Sequence, residues 1–200
     1  MTRIAVFASG HGSNLQALMD ACQSGELSVS ATIDLVVSDR PGCYALARAR
    51  ESGIETLALV PANYASKAQY EAIILDKLRQ LQIDYLVLAG FMRLIGSTLL
   101  EGYPKKIINI HPSLLPLFPG KDAIGQALAA GVTETGVTVH YVDEGMDTGP
   151  IIAQERITMV PGEGRESLES RVHALEHCLY PKVLKQIFTG GNGNGKTCTN

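Results

Sequence analysis

IAVFASGHGSNLQALMDAC, Ile4 to Cys22, sets the architecture expected of this chain. Its first part, Ile4–Ser9, is a short apolar, β-prone run that stops at Gly10. After His11, Gly12, Ser13 and Asn14 the period changes, and Leu15, Leu18, Met19 and Cys22 share one face of a helix. The stretch is therefore strand, Gly-rich turn, helix N-terminus. Such a turn lets backbone N–H groups approach an anion while the helix dipole favours negative charge. Ser13 and Asn14 are also good N-cap types. Leu15 stands where the dinucleotide fingerprint needs its third glycine, and the P-loop lysine is missing. The turn points to one phosphate group rather than NAD or ATP, and spacing leaves a purely structural tight turn open as the alternative.

The alternation continues. Ala31–Ser38 reads as a second buried strand, followed by an Asp39-Arg40-Pro41-Gly42 turn and a short helix over Cys43–Glu51 with Arg48, Arg50 and Glu51 outward. Glu55–Val60 supplies a third strand. Ser66–Gln82 is an amphipathic helix with Tyr70, Ile73, Ile74 and Leu78 at helical spacing. Tyr85–Ala89 is apolar throughout, as a parallel strand covered on both faces should be, and breaks at Gly90. Strands alternating with helices up to about residue 112 imply an α/β fold with a doubly wound, mostly parallel sheet, Rossmann-like in its N-terminal half. Further on, Ala123–Ala130 forms a short helix. Gly136–Val142 alternates, with Val137, Val139 and Tyr141 on one face and Thr138, His140 and Val142 on the other. The loop Asp143–Gly149 joins it to a strand over Pro150–Ile157, so this edge should be an antiparallel hairpin. Arg165–Phe188 is a long helix that Pro181 is expected to kink.

The chemistry concentrates in IINIHPSLLPLFPG, Ile107 to Gly120. An apolar strand ends by presenting Asn109 and His111, two residues apart and so on one side. Pro112, Pro116 and Pro119 exclude a regular helix or a central strand after it. An Asn amide can donate to a developing oxyanion, and a His can act as acid, base or fixed charge. A strand-end Asn in a turn and a His that merely packs are the plain alternative. Asp147, in a Gly-flanked loop, can reach an imidazole and raise its pKa, or simply form the turn. Gly10, Gly90 and Asn109 all fall at carboxyl ends of strands, where open α/β sheets bind ligands. His173-Ala-Leu-Glu176-His177 has the HxxEH order of one class of zinc peptidases, but no third ligand is placed by spacing.

Composition narrows the classes. With 46% hydrophobic and 18% charged residues, the 200-residue chain has the balance of one globular domain rather than a disordered one. A formal charge of -3 carries no basic footprint for nucleic acid. No apolar run approaches the roughly 20 residues needed to cross a membrane, and Ile4–Ala8 is too short for a signal-peptide core. Cys22, Cys43, Cys178 and Cys198 are far apart without CxxC spacing, so they read as reduced packing residues in a cytoplasmic protein, with a disulfide or zinc set as the alternative. The Gly/Asn-rich residues 190–200 read as a disordered tail.

Four blocks together resemble the phosphoribosylglycinamide formyltransferases, the stand-alone folate-dependent enzymes of purine synthesis: SGHGSNLQAL (Ser9–Leu18), LAGFMRLI (Leu88–Ile95), INIHPSLLPLFPG (Ile108–Gly120) and GVTVHYVDEGMDTGPII (Gly136–Ile152). HALEHCLYP (His173–Pro181) supports them. The resemblance covers roughly residues 3–188. It implies transfer of a formyl group from 10-formyltetrahydrofolate to glycinamide ribonucleotide by Asn109, His111 and Asp147, without a metal. It further implies that Gly12, Ser13 and Asn14 bind the 5′-phosphate and that Glu176 helps hold the ribonucleotide. Met92, Arg93, Leu94 and Ile95, with Val142, Asp143 and Glu144, would enclose the folate. On this reading residues 1–189 are one domain, 1–105 the phosphate-binding half and 106–189 the catalytic and folate half, in a monomer or homodimer. His11 replaces a frequent Asn or Thr, and Asp122 a His found in some members. The rivals are a formyltetrahydrofolate hydrolase or methionyl-tRNA formyltransferase, each needing more chain, and a phosphate- or nucleotide-binding module with a structural polar trio.

Overall fold

The computed structural model describes residues 1–190; residues 191–200, which hold Cys198 and all but the first residue of the expected tail, lie outside the described residues. The strands are β1 (Thr2–Phe7), β2 (Ala31–Ser38), β3 (Glu55–Ala58), β4 (Tyr85–Leu88), β5 (Ile107–His111), β6 (Glu134–Tyr141) and β7 (Ile151–Thr158). The helices are α1 (Ser13–Ser24), α2 (Tyr44–Glu51), α3 (Lys67–Gln80), α4 (Ser97–Gly102), α5 (Ala123–Ala130) and α6 (Arg165–Phe188). They form one seven-stranded sheet in the order β3-β2-β1-β4-β5-β6-β7. β1 to β5 run parallel, and β6 pairs antiparallel with both β5 and β7. The expected doubly wound sheet with a hairpin edge is the observed one.

The strand residues alternate between two cores. Ile4, Val6, Val87, Ile108 and Val139 face α1, α2, α5 and α6, where they meet Leu15, Leu18, Leu46, Ile124, Val172 and Leu184. Ala5, Phe7, Leu35, Val37, Leu86 and Ile107 face α3 and α4, against Tyr70, Ile74, Leu78 and Leu99. Period-2 side chains on strands covered from both sides leave no polar face, which is why β1 and β4 read as apolar throughout. The chain leaves β1 first for β2 and β3 on one side, then returns to β4 and β5 on the other. The carboxyl ends of β1 and β4 therefore border the switch point where such sheets bind ligands.

Several boundaries differ from expectation. β3 ends at Ala58, because Val60 precedes Pro61 and a 3₁₀ turn over Pro61–Asn63 follows. α3 starts at Lys67 with Ser66 as its cap, the Ser66 hydroxyl accepting from Gln69 N–H at 3.1 Å. α4 was absent from the sequence expectation. α6 is one 24-residue helix through Pro181. Beside that proline, the Tyr180 hydroxyl is fully buried, 3.0 Å from the carbonyls of Leu88 and Ile108, and so pins α6 to β4 and β5. Cys22 and Cys43 are free thiols. Burial pushes the Cys22 thiol up to about 11.

Candidate active site

Asn109 and His111 end β5 and point to one side, as their spacing requires. Pro112, Pro116 and Pro119 then carry the chain through an irregular segment that β6 and β7 hold in place. The Thr138 hydroxyl donates to Ser113 O at 2.7 Å and accepts from Leu115 N–H at 3.0 Å, while Gln154 Nε2 donates to Leu115 O at 2.8 Å. This support turns the Phe118 carbonyl back onto His111, whose Nε2 donates to it at 2.9 Å. The other ring nitrogen, Nδ1, lies 3.4 Å from Asp147 Oδ2. Both nitrogens thus face acceptors, an arrangement that only the doubly protonated ring satisfies in full.

Asp147 sits in the β6–β7 connection with φ +56 and is held by a 2.8 Å bond from Gly120 N–H to Oδ2. The loop presents it because Asp143 Oδ1 accepts from both Gly145 N–H and the Thr148 hydroxyl, and because Gly149 passes so close to the Tyr141 carbonyl that a Cβ would overlap it. Burial of the Asp147 carboxylate works against its charge. The Gly120 N–H and the neighbouring His111 work the other way, and the Asp147 pKa lies below the ordinary aspartate value.

Asn109 completes the group. Its amide nitrogen donates toward Asp147 Oδ1 at 3.4 Å and toward His140 Nε2 at 3.1 Å. His140 Nδ1 lies 2.8 Å from its neighbour's carbonyl, Tyr141 O, so Nδ1 carries the proton and Nε2 is free to accept. His140 is 2% exposed and stands across the antiparallel pair from Asn109. The four side chains line one cavity of about 410 Å³. Met92, Arg93, Leu94, Ile95, Val142 and Asp143 also line it, whereas Glu144 does not. Asp122 lines it too, N-capping α5 and paired with Arg165 at 2.7 Å.

The Gly-rich turn lies apart from that cavity. Gly12, at φ +77, is the cap residue of α1, so neither Ser13 nor Asn14 caps the helix and no side chain occupies its first N–H groups. Only glycine fits there: a Cβ would lie 2.8 Å from Ala45 Cβ and 2.9 Å from Ala45 Cα. α2 holds the turn from behind, Ala45 N–H donating to Gly10 O at 3.1 Å and Arg48 Nε to His11 O at 3.1 Å. Asn14 Nδ2 donates to Glu176 Oε2 at 3.0 Å, so these two residues, far apart in sequence, do meet. Glu176 is 3% exposed and also accepts from His173 Nδ1 at 2.8 Å, which raises the His173 pKa. His173 is thereby engaged with Glu176, and among the described residues no three His, Cys, Asp or Glu side chains gather to hold a metal ion.

Comparison with known proteins agrees with this geometry. A formyl transferase family model matches residues 2–184. The chain belongs to the formyl transferase family. It is 50% identical over 196 residues to the phosphoribosylglycinamide formyltransferase of Bacillus subtilis, covering 98% of this chain and 99% of that protein. The crystal structure of glycinamide ribonucleotide transformylase 1 from Geobacillus kaustophilus superposes with a TM-score of 0.91 at 57% identity, over 94% of this chain and 99% of that one. The human trifunctional purine biosynthetic protein adenosine-3 is 40% identical over 199 residues, 98% of this chain but 20% of that protein.

Within this formyl transferase the sequence reading missed one member of the polar group, His140. In the sequence it is a single alternating residue of a strand. Its signal was available only by setting β6 antiparallel against β5, which brings it opposite Asn109.

Proposed function

We propose that the chain transfers the formyl group of 10-formyltetrahydrofolate to the primary amine of glycinamide ribonucleotide, giving formylglycinamide ribonucleotide and tetrahydrofolate. The convergence of Asn109, His111 and Asp147 on one cavity, with both His111 nitrogens facing acceptors, carries this reading. As the amine adds to the formyl carbon, negative charge develops on the formyl oxygen; the bond from that carbon to folate N10 then breaks, and the proton the amine gives up passes, relayed by His111, to N10 of the departing tetrahydrofolate. The Asn109 amide donates to that oxygen, giving up its longer contact with Asp147, and the His111 imidazolium stabilises the charge. Asp147 keeps the His111 ring oriented and offsets its charge.

The phosphate docks on the uncapped N–H groups of Gly12, Ser13 and Asn14, and Glu176 holds the ribose end. The pterin fits the cavity's apolar wall, where Phe91, Leu94, Ile95 and Val142 lie beside the Leu88 strand end. Met92, Arg93, Asp143 and Glu144 complete the folate side, Glu144 from the loop rim. Residues 1–189 work as one domain, the half up to 105 holding phosphate and the half from 106 carrying the chemistry, in the cytoplasm and as a monomer or homodimer. No helix among the described residues is long and apolar enough to cross a membrane.

The test is an assay with both substrates, following folate product and formylated ribonucleotide together. Product should require the ribonucleotide and appear one for one with formylglycinamide ribonucleotide. Folate product formed equally fast without the ribonucleotide marks a hydrolase, and no product at all favours a binding module.

A further inference from the structure

Ser9 lies between the two proposed subsites and belongs to neither. It follows β1 and is 1% exposed. Its hydroxyl is 2.5 Å from Asp39 Oδ1, and a carboxylate only accepts, so Ser9 donates there. The oxygen's lone pair is then left to accept Met92 N–H at 2.9 Å, and the backbone N–H of Ser9 donates to Gly90 O at 3.1 Å. Asp39 follows β2, and Gly90 and Met92 follow β4. One buried residue therefore ties together the carboxyl ends of three adjacent strands, β2, β1 and β4, at the switch point of the sheet. The next residue, Gly10, opens the phosphate turn, and Met92 opens the folate-lining segment Met92–Ile95.

We infer that Ser9 is a positioning residue for the folate: its hydroxyl fixes the Met92 backbone, and with it the folate-lining segment, at a set distance from the phosphate turn. The inference rests on the proposed function. A bond that served stability alone would affect melting and leave substrate affinities untouched. A positioning bond acts selectively on the substrate whose segment it holds.

Steady-state kinetics of Ser9→Ala, Asp39→Ala and the double variant test it. Ser9→Ala should raise KM for 10-formyltetrahydrofolate about tenfold, the scale of one lost hydrogen bond, with kcat and the ribonucleotide KM within about twofold. Asp39→Ala should raise the same KM less, because the hydroxyl still accepts from Met92. The double variant should be no worse than Ser9→Ala, since both act through one link. An unchanged folate KM in folded Ser9→Ala, an equal rise in both KM values, or additive effects would overturn the inference. If Ser9→Ala does not fold, Asp39→Ala decides in the same way. A wild-type chain that transfers no formyl group overturns the functional reading and this inference with it. An active wild type with an indifferent Ser9→Ala overturns this inference alone.

Discussion

His140 faces Asn109 across the β5–β6 pair, with Nε2 3.1 Å from the Asn109 amide nitrogen and Nδ1–H given to the Tyr141 carbonyl at 2.8 Å. The second bond fixes the tautomer, and the tautomer makes Nε2 an acceptor. His140 therefore sets which way the Asn109 amide points and which of its ends is the donor. Without it, only the longer 3.4 Å contact with Asp147 Oδ1 holds the donor end in place, and the amide flips more readily to present its oxygen to the developing oxyanion. We expect His140→Ala to lower kcat about tenfold, the value of one misdirected hydrogen bond, with the ribonucleotide KM little changed. Initial-rate kinetics at saturating substrates check this.

Asn109→Ala removes the proposed oxyanion donor itself. Loss of one such donor costs about 10²–10³ in rate, and kcat should fall by that much. The protein should still fold, because Asn109 forms no part of either apolar core. Near-normal turnover in a folded Asn109→Ala, judged by circular dichroism and kinetics on one sample, would remove Asn109 from the chemistry.

The strand–turn–helix unit around Gly10–Asn14 was legible because its apolar residues change period within a few positions, and that change survives without tertiary context. So were α6 and the hairpin, whose patterns are long or strictly alternating. α4 was not. It is six residues, Ser97–Gly102, and buries only Leu99, so it has no periodicity to read. Its start is held by Glu71 of α3, whose Oε1 accepts Gly96 N–H at 2.6 Å, a contact between segments distant in sequence. His140 and Ser9 were illegible for the same reason. His140 is an ordinary strand residue and Ser9 an ordinary residue just past one, until strand order and register place them beside Asn109 and Met92. The meeting of Asn14 with Glu176 was implied by the family resemblance alone, since no local pattern joins α1 to α6.

Gly12 should tolerate no side chain. At φ +77, and with a Cβ 2.9 Å from the Ala45 backbone, Gly12→Ala must strain the turn and push α2 away. We expect a loss of about 1–3 kcal/mol in stability. The ribonucleotide KM should rise at least about tenfold, as the N–H groups proposed to bind the phosphate lose their geometry. kcat at saturation should stay within a few-fold, because the Asn109 cavity lies apart. Thermal melts and separate KM and kcat values test both halves.

Asp147 gives a pH signature. Its folded pKa lies below the ordinary aspartate value, with the Gly120 N–H and His111 working against the opposing effect of burial. A carboxylate depressed on folding contributes stability that is fully present above its unfolded pKa, about 3.9, and is lost as pH falls through the lower folded value. Asp147→Asn lacks that contribution at every pH. Wild type should therefore melt about 2–4 °C above Asp147→Asn at neutral pH, the shift expected for about 1 kcal/mol in a domain of this size. The gap should close as the buffer is taken below about pH 4. Paired melts from pH 7 down to pH 3 measure it, and a gap that stays constant or widens in acid would show that Asp147 is not held charged by its neighbours. Turnover of Asp147→Asn should be low across the whole range, since the His111 ring loses the carboxylate beside Nδ1 that aligns it.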